Sequence, residues 1–323
     1  MFSGAADAFM LADGGWLLAL VRGLNTAALF TGYGALLFRC LLLPASPDSA
    51  ASDIGALDRG LRRLARWGWA AQILFLLAWL TVETLAMADL DTPFSQGFLT
   101  DALPSVAMGT EFGGIVMAQL ALAVLALLLT GPAGRFWRFA GAGAAIFAIL
   151  LQAGHGHALA MNSGPSWLLA SEALHLLAAG AWLGGLAPLA LMLRQAPPPA
   201  AFAIARRFSH YGTVAVLGLA LSAAYQGNLL LGGFFAGNGH RLIRTPYGEM
   251  ILVKLLLLLG LLALAGVNRW RWTPLLGTGA LDTGSRGTAR RNLFRCVLAE
   301  ILIGLLVVLA AAILANLAPP LHA

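Results

Sequence analysis

Long apolar runs separated by short polar stretches repeat along the chain. They fall at about 14–43, 64–90, 107–130, 136–154, 167–193, 208–233, 247–268 and 293–316, and each can cross roughly 30 Å of hydrocarbon as a helix. The runs are continuously apolar rather than alternating, which argues against a β-barrel. The pattern predicts an all-α, polytopic membrane protein with eight transmembrane helices in a single domain, 1–323. The first run is expected to be a span rather than a cleavable signal. It is too long, no basic segment precedes it, and Arg22 and Asn25 interrupt it.

Composition agrees. The chain is 59% hydrophobic and 11% charged, with a mean hydropathy of +0.82, whereas a soluble domain carries about 25% charged residues. Of the 20 basic residues, all but Arg22, Arg241, Arg244 and Lys254 fall in the connections after the first, third, fifth and seventh spans or at the adjoining helix ends. Basic loops mark the cytoplasmic side, so both termini are expected to be periplasmic. The net charge of +6 therefore reflects topology and is no sign of nucleic-acid binding. The longest polar connections, 44–63 and 274–292, read as flexible links. Cys40 and Cys296 read as small buried residues near cytoplasmic helix ends.

Against this background the few polar groups at membrane depth stand out, because burying them in lipid is costly unless they face the bundle interior. "GHGHALAM" places His155, His157 and Met161 at the outward end of the fourth span. The fifth span opens with "SEALH", where Glu172 and His175 share a face three residues apart. Imidazole binds copper in either oxidation state and thioether favours Cu(I), so His155, His157, His175, Met161 and Glu172 form a candidate metal site. Each of these also has an ordinary reading as an interfacial or packing residue. Glu83 and Met87 share a face of span two, and Lys254 and Glu300 lie within spans seven and eight. These four are candidate pathway or proton-linked groups, with Lys254 also expected to neutralise Glu300 or Glu249. Trp182 and the glycines of spans four and five read as helix-packing devices.

Four segments resemble the CopD/PcoD family of bacterial inner-membrane copper-resistance proteins. They are "GHGHA" at 154–158, "LHLLAAGAWLGGL" at 174–186, "RRFSHYGTVAV" at 206–216 with "LSAAYQGNLLLG" after it, and "TPYGEMILVKLLLLLGLLALAGVNR" at 245–269. All lie within spans four to eight, about 136–316. The resemblance implies an eight-span inner-membrane protein that moves copper, commonly inward. It also implies a small periplasmic copper carrier, CopC, as partner; the fused CopC domain of some relatives is not expected within these 323 residues. The histidines carried over within the matched segments are His155, His157 and His175.

The resulting expectation is copper ion transport, Cu(I) or Cu(II), from a periplasm-facing His/Met site, with no enzymatic turnover. The rivals are a haem b-binding membrane cytochrome or quinone oxidoreductase, and a copper-binding sensor or assembly factor that passes nothing on.

Overall fold

The computed structural model describes residues 15–43, 51–90, 92–132, 134–155, 166–231, 233, 241–277 and 283–317. Among these residues there is no strand, and eight helices have 18 residues or more. They are α1 (Gly15–Leu41), α2 (Ala51–Ala88), α3 (Glu111–Leu129), α4 (Arg135–Gln152), α5 (Ser166–Gln195), α6 (Pro198–Leu230), α7 (Pro246–Val267) and α8 (Thr283–Leu314). Seven of these, α2 to α8, are long and apolar enough to cross a membrane. The helix at the first expected span, α1, is not among them.

The reason lies in where α1 sits. It packs against α2, α4, α5 and α8, and Leu29, Ala35 and Leu36 on it are buried along with Asn25 and Arg39. A helix enclosed by other helices meets little lipid, so it tolerates polar and small residues that a peripheral helix cannot. By contrast α7 exposes Leu255, Leu256 and Leu259 and reads as leucine throughout its middle.

Glycines allow close backbone crossings of α1 with α5 and with α2. A Cβ on Gly34 of α1 would collide with the backbone of Gly184 on α5, and one on Gly68 of α2 would meet the backbone of Gly32 on α1. The packing role expected for the span-five glycines is therefore real. In span four, Gly141 is buried against Leu36 and Leu129, whereas a Cβ at Gly143 would meet nothing within 4 Å.

The two connections read as flexible links are partly helical. Residues 51–63 extend α2, and 283–292 extend α8. Asp58 explains the first. Arg39 of α1 donates to both of its oxygens, at 2.8 and 3.2 Å, Arg62 stands 3.2 Å away and Arg138 of α4 3.5 Å. One carboxylate thus ties together three helices and offsets a buried guanidinium. Arg290 does the same for α8 by donating to the carbonyls of Leu193 and Ala196 at the end of α5. Asp58→Asn keeps the shape but removes the charge that Arg39 needs. It is expected to cost about 2 kcal/mol and to lower the thermal midpoint of the detergent-solubilised protein. Arg59→Ala, outside this ion-pair group, should leave the midpoint unchanged.

Candidate functional site

The "TPYG" segment is a helix start. Thr245 Oγ1 accepts from the Gly248 amide at 3.1 Å, and Pro246 occupies the first helical position, where its missing N–H and fixed φ suit the geometry. That start sets the register of α7, so Tyr247 and Lys254, two turns apart, reach the same cavity. The cavity has a volume of about 180 Å³. It lies at the end of the bundle where α4, α6 and α8 finish and α1, α5 and α7 begin. Lys254 and Tyr247 enter it from α7, Glu172 and His175 from α5, and Gln226 from α6. Arg22 comes from α1, and Gln152 and His155 from the end of α4.

His155 follows α4 in a single turn of tighter 3₁₀ helix, Ala153–His155. Its ring lies 4.5 Å from Trp79 and 5.6 Å from Phe112, centroid to centroid. Its Nε2 is 3.0 Å from Gln119 Oε1. Gln119 Nε2 in turn donates to Gln152 Oε1 at 2.9 Å, and Asn25 Nδ2 donates to the same oxygen at 3.3 Å. Asn25 and Gln119 have no exposed surface, so α1, α3 and α4 share a carboxamide network inside an apolar bundle. Arg22 closes the outer edge by donating to Asn316, just beyond α8, at 2.6 Å and to the His155 carbonyl at 3.4 Å.

His175 lies on the α6 side, with Nδ1 3.0 Å from Ser222 Oγ. Glu172 is one turn earlier on the same helix. Neither Glu172 nor Lys254 makes a hydrogen bond or an ion pair within 4 Å to another described residue, yet both line the cavity and their charges act on each other. Lys254 therefore stands opposite Glu172, not Glu300 or Glu249 as the sequence suggested. Which helices are neighbours decides that pairing, and helix order along the chain does not reveal it.

The sequence candidates divide as follows. His155, Glu172, His175 and Lys254 meet around one cavity. His157 and Met161 lie outside the described residues. Glu83 accepts a hydrogen bond from Trp79 Nε1 at 3.0 Å, which places it behind the ring that covers His155. Met87 is 54% exposed and lines neither cavity described here. Glu300 is 3% exposed and lines a different cavity, of about 410 Å³, toward the opposite end. There it accepts from Asn268 Nδ2 at 3.0 Å. Among the described residues no three His, Cys, Asp or Glu side chains are close enough to hold a metal ion. Gln119, Gln152 and Ser222 escaped the sequence reading. Their signal was a lone amide or hydroxyl in an apolar run, which has no periodicity to mark it.

Fold and cavity together define a helical membrane bundle with a chamber at one end that gathers histidine and charged side chains among apolar ones. Comparison with known families is specific. The family model described as "Copper resistance protein D-like, N-terminal domain" matches residues 10–168, and "Copper resistance protein D" matches residues 202–314. The chain belongs to the copper resistance protein D family. Copper transport protein CutJ of Bacillus subtilis is 32% identical over 277 residues, covering 82% of this chain and 47% of that protein. Inner membrane protein YebZ of Escherichia coli is 29% identical over 170 residues, 51% of this chain and 56% of the relative. Copper resistance protein D of Pseudomonas syringae pv. tomato is 27% identical over 239 residues, 69% and 74% of the two chains. The chain thus spans about half the length of the first two relatives. No solved structure matches it.

Proposed function

We propose that this chain moves copper ions across the bacterial inner membrane, taking the ion from the periplasm, and performs no covalent chemistry. In this reading α1 is the eighth span and both termini face the periplasm. The concentration of arginine at the end opposite the chamber supports that orientation. His155 and His175 are ligands facing the chamber, with Glu172 supplying negative charge, and His157 and Met161 complete the capture site. Glu83, Met87, Lys254 and Glu300 are assigned to the onward path or to linked proton movement. By family resemblance a periplasmic CopC-like carrier delivers the ion.

One observation carries this reading: two imidazoles from different helices line a single chamber that also holds the Glu172 carboxylate. Neutral imidazole suits copper in either oxidation state, and a carboxylate offsets the cation on arrival. In the purified protein, copper binding should disappear when His155 and His157 are both replaced by Ala. Unchanged copper stoichiometry in that double variant would remove the site.

A further inference from the structure

The two cavity histidines are held by partners whose own hydrogen bonds favour one direction of donation. Ser222 Oγ lies 2.7 Å from the Gly218 carbonyl and 3.0 Å from the Leu219 carbonyl. A carbonyl only accepts, so the single hydroxyl proton is spent there and Oγ offers a lone pair to His175 Nδ1. His175 must therefore carry its proton on Nδ1. At the other histidine, the Gln119 group 3.4 Å from the Ala148 carbonyl is assigned as the NH₂, because a carbonyl only accepts. That NH₂ also donates to Gln152 Oε1, which turns Gln119 Oε1 toward His155 Nε2. His155 therefore carries its proton on Nε2.

We infer that Gln119 and Ser222 are positioning residues that preset opposite tautomers, leaving Nδ1 of His155 and Nε2 of His175 as the nitrogens that take the metal ion. This rests on the reading of both histidines as copper ligands. A ligating histidine ordinarily donates its other N–H to a fixed acceptor, which settles ring orientation and basicity. Here that arrangement exists with the lone-pair nitrogens still unpartnered among the described residues. Trp79 and Phe112 flank the His155 ring, so a ring flip that would exchange its nitrogens is obstructed. The ion enters a chamber whose donor atoms already carry lone pairs, and capture requires no proton to leave either ring.

The test uses the full chain in detergent with ¹⁵N-labelled histidine, and Cu(I) alone as the metal probe. In the metal-free protein, one-bond N–H correlations should show His155 protonated at Nε2 and His175 at Nδ1. Ser222→Ala should move the His175 proton to Nε2 and weaken Cu(I) binding roughly 10–100-fold, while Ser222→Thr keeps both at the native values. Gln119→Leu should act likewise on His155, and Gln119→Glu, which retains an acceptor, should preserve its tautomer. A wild-type His175 protonated at Nε2 overturns the inference. So does Ser222→Ala binding Cu(I) as tightly as wild type while His175→Ala does not. If His155→Ala and His175→Ala both bind Cu(I) normally, the copper reading beneath it fails instead, and the metal-free spectra separate the two failures.

Discussion

His175→Ala is expected to weaken copper binding by more than the roughly 10–100-fold typical of losing an outer-shell partner, with the helical bundle intact. The side chain faces a chamber that already exists, so its removal enlarges a polar space and opens no new void in the apolar core. Ser222 loses a donor but keeps its own bond to the Gly218 carbonyl, so no buried polar atom is stranded. The change removes the proposed ligand and little else. Competition against a Cu(I) chelator, with circular dichroism on the same sample, measures both halves of the expectation. Glu172→Gln should weaken binding less. It deletes no imidazole but leaves Lys254 without the carboxylate opposite it, beside an incoming cation.

The largest effect on the fold is expected at Gly184. A Cβ there falls against the carbonyl of Phe30, and the facing contact at Gly34 is also backbone to backbone. Where a side chain blocks, a rotamer change relieves the clash; where backbone blocks, two helices must separate. Gly184→Val should therefore exceed the ~1–3 kcal/mol usual for overpacking. Pro188, four residues on, has no N–H to offer the Gly184 carbonyl, so the α5 backbone at this crossing already lacks one internal hydrogen bond. Because α1 and α5 both contribute to the chamber, their separation also dismantles the site. Size-exclusion chromatography should show the variant aggregated or absent, with Gly143→Ala, where a Cβ meets nothing within 4 Å, running as wild type.

The sequence reveals this protein unevenly, for physical reasons. Helices two to eight follow from unbroken apolar runs, because lipid imposes one requirement on every exposed turn. The helix at α1 is also legible, yet its polar and glycine content reads as weakness in a span. Only the packing against four neighbours explains Arg22, Asn25 and Gly34 there. The nearness of Glu172 and His175 follows from a three-residue spacing on one helix. The position of Lys254 opposite them does not, since it depends on α7 standing beside α5 at that end. Residues 44–63 read as a link because Pro, Ser, Asp and Gly recur in the segment. Of the arginines that satisfy Asp58, Arg62 lies four residues along the same helix, but Arg39 and Arg138 come from α1 and α4, beyond the reach of any local pattern. Ser222 and Gln119 are invisible for the same reason: what each does depends on a carbonyl and an imidazole brought in by the fold.

The central claim is that the chamber receives copper for passage through the membrane. Its most direct test is metal accumulation in proteoliposomes of known orientation, supplied with Cu(I) in reductant on the face bearing the chamber. The account predicts time-dependent copper entry into wild-type vesicles, and entry at the protein-free rate for His175→Ala. Stoichiometric binding with no copper entry in the wild type would contradict transport and describe a copper-binding sensor or assembly factor.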